Sequence, residues 1–155
     1  MKNSLGNDDF LNTILDKIPF PAFLMDDDVR IHEYNLAGIL LFDIELSRVN
    51  RVRCGDAFRC VYSMPDGCGE SEACKKCVIR NSVIKSYGGG KVDREQTEIQ
   101  LVRGNNIERI QMLVTTEPLK YNDELYVIVI LEDITERKKL KNISPIPNCR
   151  NLQII

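Results

Sequence analysis

The chain has 155 residues, 43% of them hydrophobic and 28% charged, with a formal charge of −2. Length and composition are those of one globular domain and argue against a multidomain enzyme, and the near-balanced charge gives nucleic acid no general electrostatic foothold. No apolar run approaches a membrane span, and the start Met1-Lys2-Asn3-Ser4 lacks a signal-peptide core, so a cytoplasmic protein with no membrane contact is expected.

From the N-terminus, Phe10, Leu11, Ile14, Leu15 and Ile18 recur at helical spacing, which predicts an amphipathic helix over 8–18 stopped by Pro19 and Pro21. Ala22 to Met25 reads as a short strand, Asp26-Asp27-Asp28 as a solvated turn, and Val29 to Tyr34 as a second strand completing a hairpin. Asn35 is placed to cap a helix over Leu36 to Phe42, and another short helix is expected near Leu46 to Val52. Val78, Ile79, Val83 and Ile84 mark a further helix, ended by Gly88-Gly89-Gly90. Three strands follow, Thr97 to Val102, Ile107 to Glu117 and Leu125 to Leu131, with turns at Gly104-Asn105-Asn106 and Tyr121-Asn122-Asp123. This order, without long βαβ units, predicts an α+β fold: an antiparallel five-stranded sheet with the central helices on one face. After the last strand, Thr135 or Asp133 can cap a charged exit helix that Pro145 and Pro147 break.

The chemistry concentrates in Cys60-Val-Tyr-Ser-Met-Pro-Asp-Gly-Cys68-Gly-Glu-Ser-Glu-Ala-Cys74-Lys-Lys-Cys77. Cys74 and Cys77 have the C-x-x-C spacing at which two sulfurs share one metal, and Cys60 and Cys68 complete a four-sulfur set. Gly67 and Gly69 allow positive φ on both sides of Cys68. Lys75 and Lys76 are expected to favour thiolate, as is the start of the following helix. Cys54 is a possible fifth ligand, a spare or resolving thiol, or packing. In a reducing compartment such a cluster points to metal or redox chemistry rather than a disulfide framework. Uneven spacing and a single histidine favour an iron–sulfur cluster, with structural zinc, a thiol switch or no cofactor as alternatives.

Element order and two motifs make the chain resemble a PAS domain over roughly Asp8 to Leu140. Leu131-Glu132-Asp133-Ile134-Thr135-Glu136-Arg137 is similar to the D-I-T-x-R/K signature that ends many PAS sensors, and Asn35-Leu36-Ala37 to the family's N-x-A helix start. The cysteine stretch through Val78-Ile79-Arg80 resembles a subgroup of bacterial PAS domains found ahead of histidine kinases and diguanylate cyclases. Cys60, Cys68, Cys74 and Cys77 match cysteines of that subgroup, and Cys54 departs from it. The resemblance divides the chain into an N-terminal helix, 1–18, a sensor core, 19–134, with a cysteine-rich insert at 54–77, and an exit helix and tail, 135–155. It implies a signal-transduction module acting through protein contacts, with a downstream histidine kinase or other output domain as partner, while the helix over 8–18 and the helix after Asp133 are expected to mediate a homodimer, because each has an apolar stripe or exit geometry that a monomer would leave partly exposed. Asp133, Thr135, Glu136 and Arg137 would couple the core to the exit helix.

Other readings are weaker. His32 lies on a strand, where a satisfied or exposed side chain is expected rather than a haem ligand. The tail Asn148-Cys149-Arg150-Asn151-Leu152-Gln153 superficially resembles the N-C-R-F-L-Q of flavin-binding LOV domains, but it stands after the last strand and carries Asn151 in place of Phe. No phosphate-binding loop, nucleophile elbow or cysteine–histidine pair is present, so an enzyme is not expected. The rival class is a small-molecule or protein-interaction module whose cysteines only brace the loop.

Overall fold

In the computed structural model, residues 9–143 are described, with side chains through residue 140. The tail readings beyond 143, Cys149 included, fall outside them. The elements are α1 (Asp9–Lys17), β1 (Ala22–Met25), β2 (Ile31–Tyr34), α2 (Leu36–Phe42), α3 (Cys54–Phe58), α4 (Val78–Tyr87), β3 (Val92–Arg103), β4 (Asn106–Tyr121), β5 (Glu124–Asp133) and α5 (Thr135–Ile143). Single 3-10 turns sit at Leu46–Arg48, Val61–Ser63 and Glu72–Lys76. The strands form one antiparallel sheet in the order β2-β1-β5-β4-β3, as expected for the α+β class.

Alternation along the strands divides the apolar residues between two faces. Phe23, Met25, Ile110, Met112, Val114, Val127, Val129 and Leu131 join the main core with Phe42, Phe58, Ile79 and Val83 from the central helices. Phe58 stacks on Phe42 at 3.8 Å between ring centres and lies 5.3 Å from Phe23, so aromatic rings fill the space between β1 and α2–α3. On the opposite face, Ala22, Leu24 and Tyr126 pack with Leu15 and Leu11 of α1 and with Ile18 just after it. The N-terminal helix therefore covers the outer face of the sheet, leaving Phe10 and Ile14 exposed.

Asn35 ties this arrangement together. Its side-chain oxygen accepts from the N–H groups of Ala22 and Gly38, capping α2, while its amide donates to the carbonyls of Leu15, Ile18 and Phe20. One fully buried side chain thus satisfies the end of α1, the entry to β1 and the start of α2. Gly38 is required beside it: a Cβ there would come within 2.7 Å of the Phe23 ring.

Three expectations shift. The second strand begins at Ile31 rather than Val29, because Asp26 accepts from the N–H groups of Asp28 and Arg30 and extends the turn, with Val29 at φ 54°. The helix expected over Leu46 to Val52 shrinks to the 3-10 turn. The three final strands are longer than their apolar patterns. The first half of β3, Asp93 to Gln96, is exposed on an edge and needs no alternation, and β4 runs past Thr116, where β3 pairing ends, so Pro118 sits where one side of the strand is open. His32 is buried, 2.9 Å from Asp26 through Nε2 and edge-on to Tyr126. Among the described residues, no helix is long and apolar enough to cross a membrane.

Candidate metal and thiol site

The cysteine segment is held by polar bonds more than by regular structure. α3 ends at Arg59 with φ 60°, and Cys60 then bridges to Leu101 of β3. The chain reverses through Gly67 and Gly69, whose φ of 105° and 94° is the positive φ expected on both sides of Cys68. Between them, the Cys68 N–H donates to Asp56 at 2.9 Å and its carbonyl accepts from Arg53 at 3.2 Å. Cys74 lies in the 3-10 turn, and Cys77 is the N-cap of α4, its sulfur accepting from the Arg80 N–H at 3.5 Å.

These turns bring Cys54, Cys60, Cys68, Cys74 and Cys77 to the wall of one cavity of about 150 Å³, closed by Val29, Phe58, Ile79 and Leu101. All five thiols are free. Among the described residues, no three histidine, cysteine or acidic side chains are gathered into a ready metal-coordinating group. The sulfurs instead accept hydrogen bonds: Cys68 from Arg80 Nη2 at 3.3 Å, and Cys74 from the Gly69 N–H at 3.3 Å, with the Ser71 hydroxyl at 3.4 Å. Donors of this kind tune a thiolate that ligates a metal as well as one that is free.

Among the thiols of the described residues, Cys68 is the most acidic, pulled down to about 6. The Cys54 thiol donating to its sulfur is the largest cause, burial opposes it, and Arg80 and the Gly55 N–H add to it. Cys54 is correspondingly pushed well up, by that same bond and by burial. For Cys74 burial works upward, but Ser71 and the Gly69 N–H outweigh it and the thiol is lowered. Burial raises Cys60 and Cys77.

The positive charge at the site is Arg80, not the two lysines. Lys75 turns to Glu72 at 3.1 Å, and neither Lys75 nor Lys76 contributes to the leading effects on the thiols. Arg80, one turn into α4, reaches back to Cys68 and on to Asp28 at 3.2 Å. Burial disfavours its charge, yet Cys68 and Asp28 hold its pKa above the ordinary value. Gly69 makes the room, since a Cβ there would lie 2.7 Å from the guanidinium. Arg53 completes the group, 2.9 Å from Asp28 and 3.7 Å from Glu70. The signal for Arg80 in the sequence is its place three residues after a capping cysteine, the distance from which a side chain in the first turn reaches back over the cap.

Two of the expected coupling residues, Asp133 and Thr135, form a separate clasp at the end of β5. Asp133 accepts from the Thr135 N–H at 2.9 Å and its hydroxyl at 2.6 Å, and Thr135 Oγ1 accepts from the Gln111 N–H of β4 at 3.0 Å. The Ile134 N–H returns to the Gln111 carbonyl at 2.8 Å. Arg137 and Glu136 lie outside this clasp, with looser partners at Glu132, 3.9 Å, and Lys139, 3.6 Å. The cysteine cavity and this clasp are linked through the sheet: Asp28 lies in the β1–β2 turn, β1 pairs with β5, and β5 leads into α5.

No protein-family model and no curated protein sequence matches the chain. Solved structures do. The PAS domain of nitrogen regulation protein NR(II) from Vibrio parahaemolyticus aligns with TM-score 0.56 and 14% identity over 80% of this chain and 97% of that one. The PAS domain from Bordetella pertussis BvgS gives 0.58 and 19% over 86% and 90%. The Rhodobacter sphaeroides LOV protein gives 0.56 and 14% over 84% and 68%. At these identities the likeness speaks for architecture, and with the β2-β1-β5-β4-β3 sheet, the helices across its inner face and the Asp133–Thr135 clasp, the chain has the fold of a PAS domain.

Proposed function

We propose that this PAS domain is a sensory module that holds a redox-active metal centre, an iron–sulfur cluster, through Cys60, Cys68, Cys74 and Cys77, and passes its state on by protein contacts. The observation that carries this reading is the convergence of all four thiols on one small cavity. The donor set fits the group: four sulfurs suit iron–sulfur or zinc, and the N–H donors at Cys68, Cys74 and Cys77 are those expected around a ligating thiolate. Such a cluster supplies a one-electron change or oxygen sensitivity. Arg80 would be the residue of this chain facing a change of charge at Cys68, and its bond to Asp28 would tie that change to the β1–β2 turn and, through the pairing of β1 with β5, to α5. The reading includes a homodimer in the cytoplasm and an output partner such as a histidine kinase, docked at the exit helix. No catalytic role is proposed.

Metal and acid-labile sulfide analysis of protein purified without oxygen tests the centre. Iron with sulfide supports it; zinc alone, or no metal, overturns it in favour of a module whose cysteines brace the loop.

A further inference from the structure

We propose that Cys54 and Cys68 are an oxidisable pair, which a peroxide converts to a disulfide whenever the cavity holds no metal. Cys68 is shared between the two roles, so a metal bound through it blocks the disulfide. The pair itself does not depend on which metal is bound, or on whether one is bound at all.

The geometry selects this pair. Cys68 Sγ rests against Gly55, the residue next to Cys54, and both cysteines line one wall of the cavity, so the two sulfurs are neighbours. Gly55 permits the approach: a Cβ there would stand 2.8 Å from Cys68 Sγ and 3.0 Å from its Cβ. Cys60 is tied to β3 by its bridge to Leu101, and the sulfurs of Cys74 and Cys77 make other bonds. Cys74 accepts from Gly69 and shares a hydrogen bond with the Ser71 hydroxyl, and Cys77 accepts from the backbone of Arg80. Arg80 Nη2 points at the Cys68 sulfur from 3.3 Å, fixing it as the sulfur that reacts first, while Cys54 stands behind it to resolve the product. Both residues are buried, but the cavity wall includes the exposed Tyr62 and Lys76, so a molecule as small as hydrogen peroxide can enter.

The chemistry balances with one peroxide. The Cys68 sulfur attacks one peroxide oxygen, the O–O bond breaks, and the departing hydroxide takes the thiol proton and leaves as water, giving a sulfenic acid. The Cys54 sulfur then attacks the Cys68 sulfur. The S–O bond breaks, the hydroxyl leaves with the Cys54 proton as a second water, and the S–S bond forms. Two thiols lose two electrons, and one peroxide becomes two waters.

The test uses the full chain, reduced and stripped of metal by chelator, treated with one equivalent of hydrogen peroxide, blocked at remaining thiols, and mapped by mass spectrometry. Cleavage after Arg59, before Asp66 and after Glu70 separates Cys54, Cys60, Cys68 and Cys74 onto different peptides. The expected result is a Cys54–Cys68 link as the dominant disulfide, retained in Cys77→Ser. In Cys54→Ser the link is absent, and a second equivalent of peroxide takes Cys68 on to sulfinic acid. A dominant disulfide elsewhere, such as Cys74–Cys77, or a Cys54 that stays reduced while Cys68 over-oxidises in the unaltered chain, overturns the proposal. Metal content, measured separately on protein as isolated, judges the four-thiol centre: metal present without this link sinks the pair alone, and the link without metal sinks the centre alone.

Discussion

The cysteine segment, 54–77, and the β4–β5 hairpin are held by different physics. The hairpin pairs continuously from Met112↔Asp133 to Tyr121↔Glu124 and buries Val114, Val127, Val129 and Leu131 completely. Each such side chain stabilises the fold by roughly 1.5–3 kcal/mol. The segment from 54 to 77 contains one five-residue helix, anchored in the core by Phe58, and two 3-10 turns, and past Phe58 it is fixed mainly by single hydrogen bonds to Asp56, Arg53, Arg80 and the sulfurs. The comparison teaches where responsiveness can reside. The hairpin stays folded on its own apolar area, whereas the segment's order depends on what its thiols are bonded to.

The largest expected effect falls on the scaffold. Asn35→Ala removes five hydrogen bonds from a fully buried position and leaves buried carbonyls and N–H groups without that partner, so unfolding in denaturant should show a loss of about 3–5 kcal/mol. A loss below about 1 kcal/mol would mean that water or a shifted chain replaces these bonds.

Next come the four thiols as a unit. Replacing Cys60, Cys68, Cys74 or Cys77 by Ser should each remove most of the metal and lower the melting temperature. Hydrogen exchange should then speed up across 60–77 while β4 and β5 keep their protection. Uniform loss of protection across both regions would dissolve the contrast, and a graded series in metal content would point to other ligands.

A smaller effect is expected at the exit. Thr135→Val deletes the hydroxyl that bonds Asp133 and receives the Gln111 N–H, and should cost about 1–2 kcal/mol. Exchange should rise in the first turn of α5 without change in metal content. A metal loss there would show the two ends of the molecule coupled more tightly than the single path through β1 implies.

The smallest effect is reserved for Cys54→Ser and Cys149→Ser, both of which should leave metal content unchanged. Serine at 54 keeps a hydroxyl to donate to Cys68, and Cys149 lies outside the matched motif. A larger metal loss at Cys54 than at Cys60 would move Cys54 into the ligand set.

What the sequence determined by itself was everything written in local periodicity or in a cap. The helix at Leu36 to Phe42 follows from Asn35 and an apolar run, the helix at Val78 to Tyr87 from its spacing and the glycines after it, and the hairpin turns from Gly104 and Asn122-Asp123. The positive φ at Gly67 and Gly69 was legible for the same reason, since the residue type and the backbone it permits are local facts. Tertiary structure decided what depends on partners distant in sequence. The exposed half of β3 pairs because β4 lies beside it, whatever its own polarity. Lys75 and Lys76 are nearest to the thiols along the chain, yet direction in space gives that role to Arg80, which α4 aims across the cavity at Cys68 and Asp28. Likewise Cys54 reads as an outlier along the sequence and becomes the neighbour of Cys68 only when Gly67, Gly69 and Gly55 let the loop fold back onto α3.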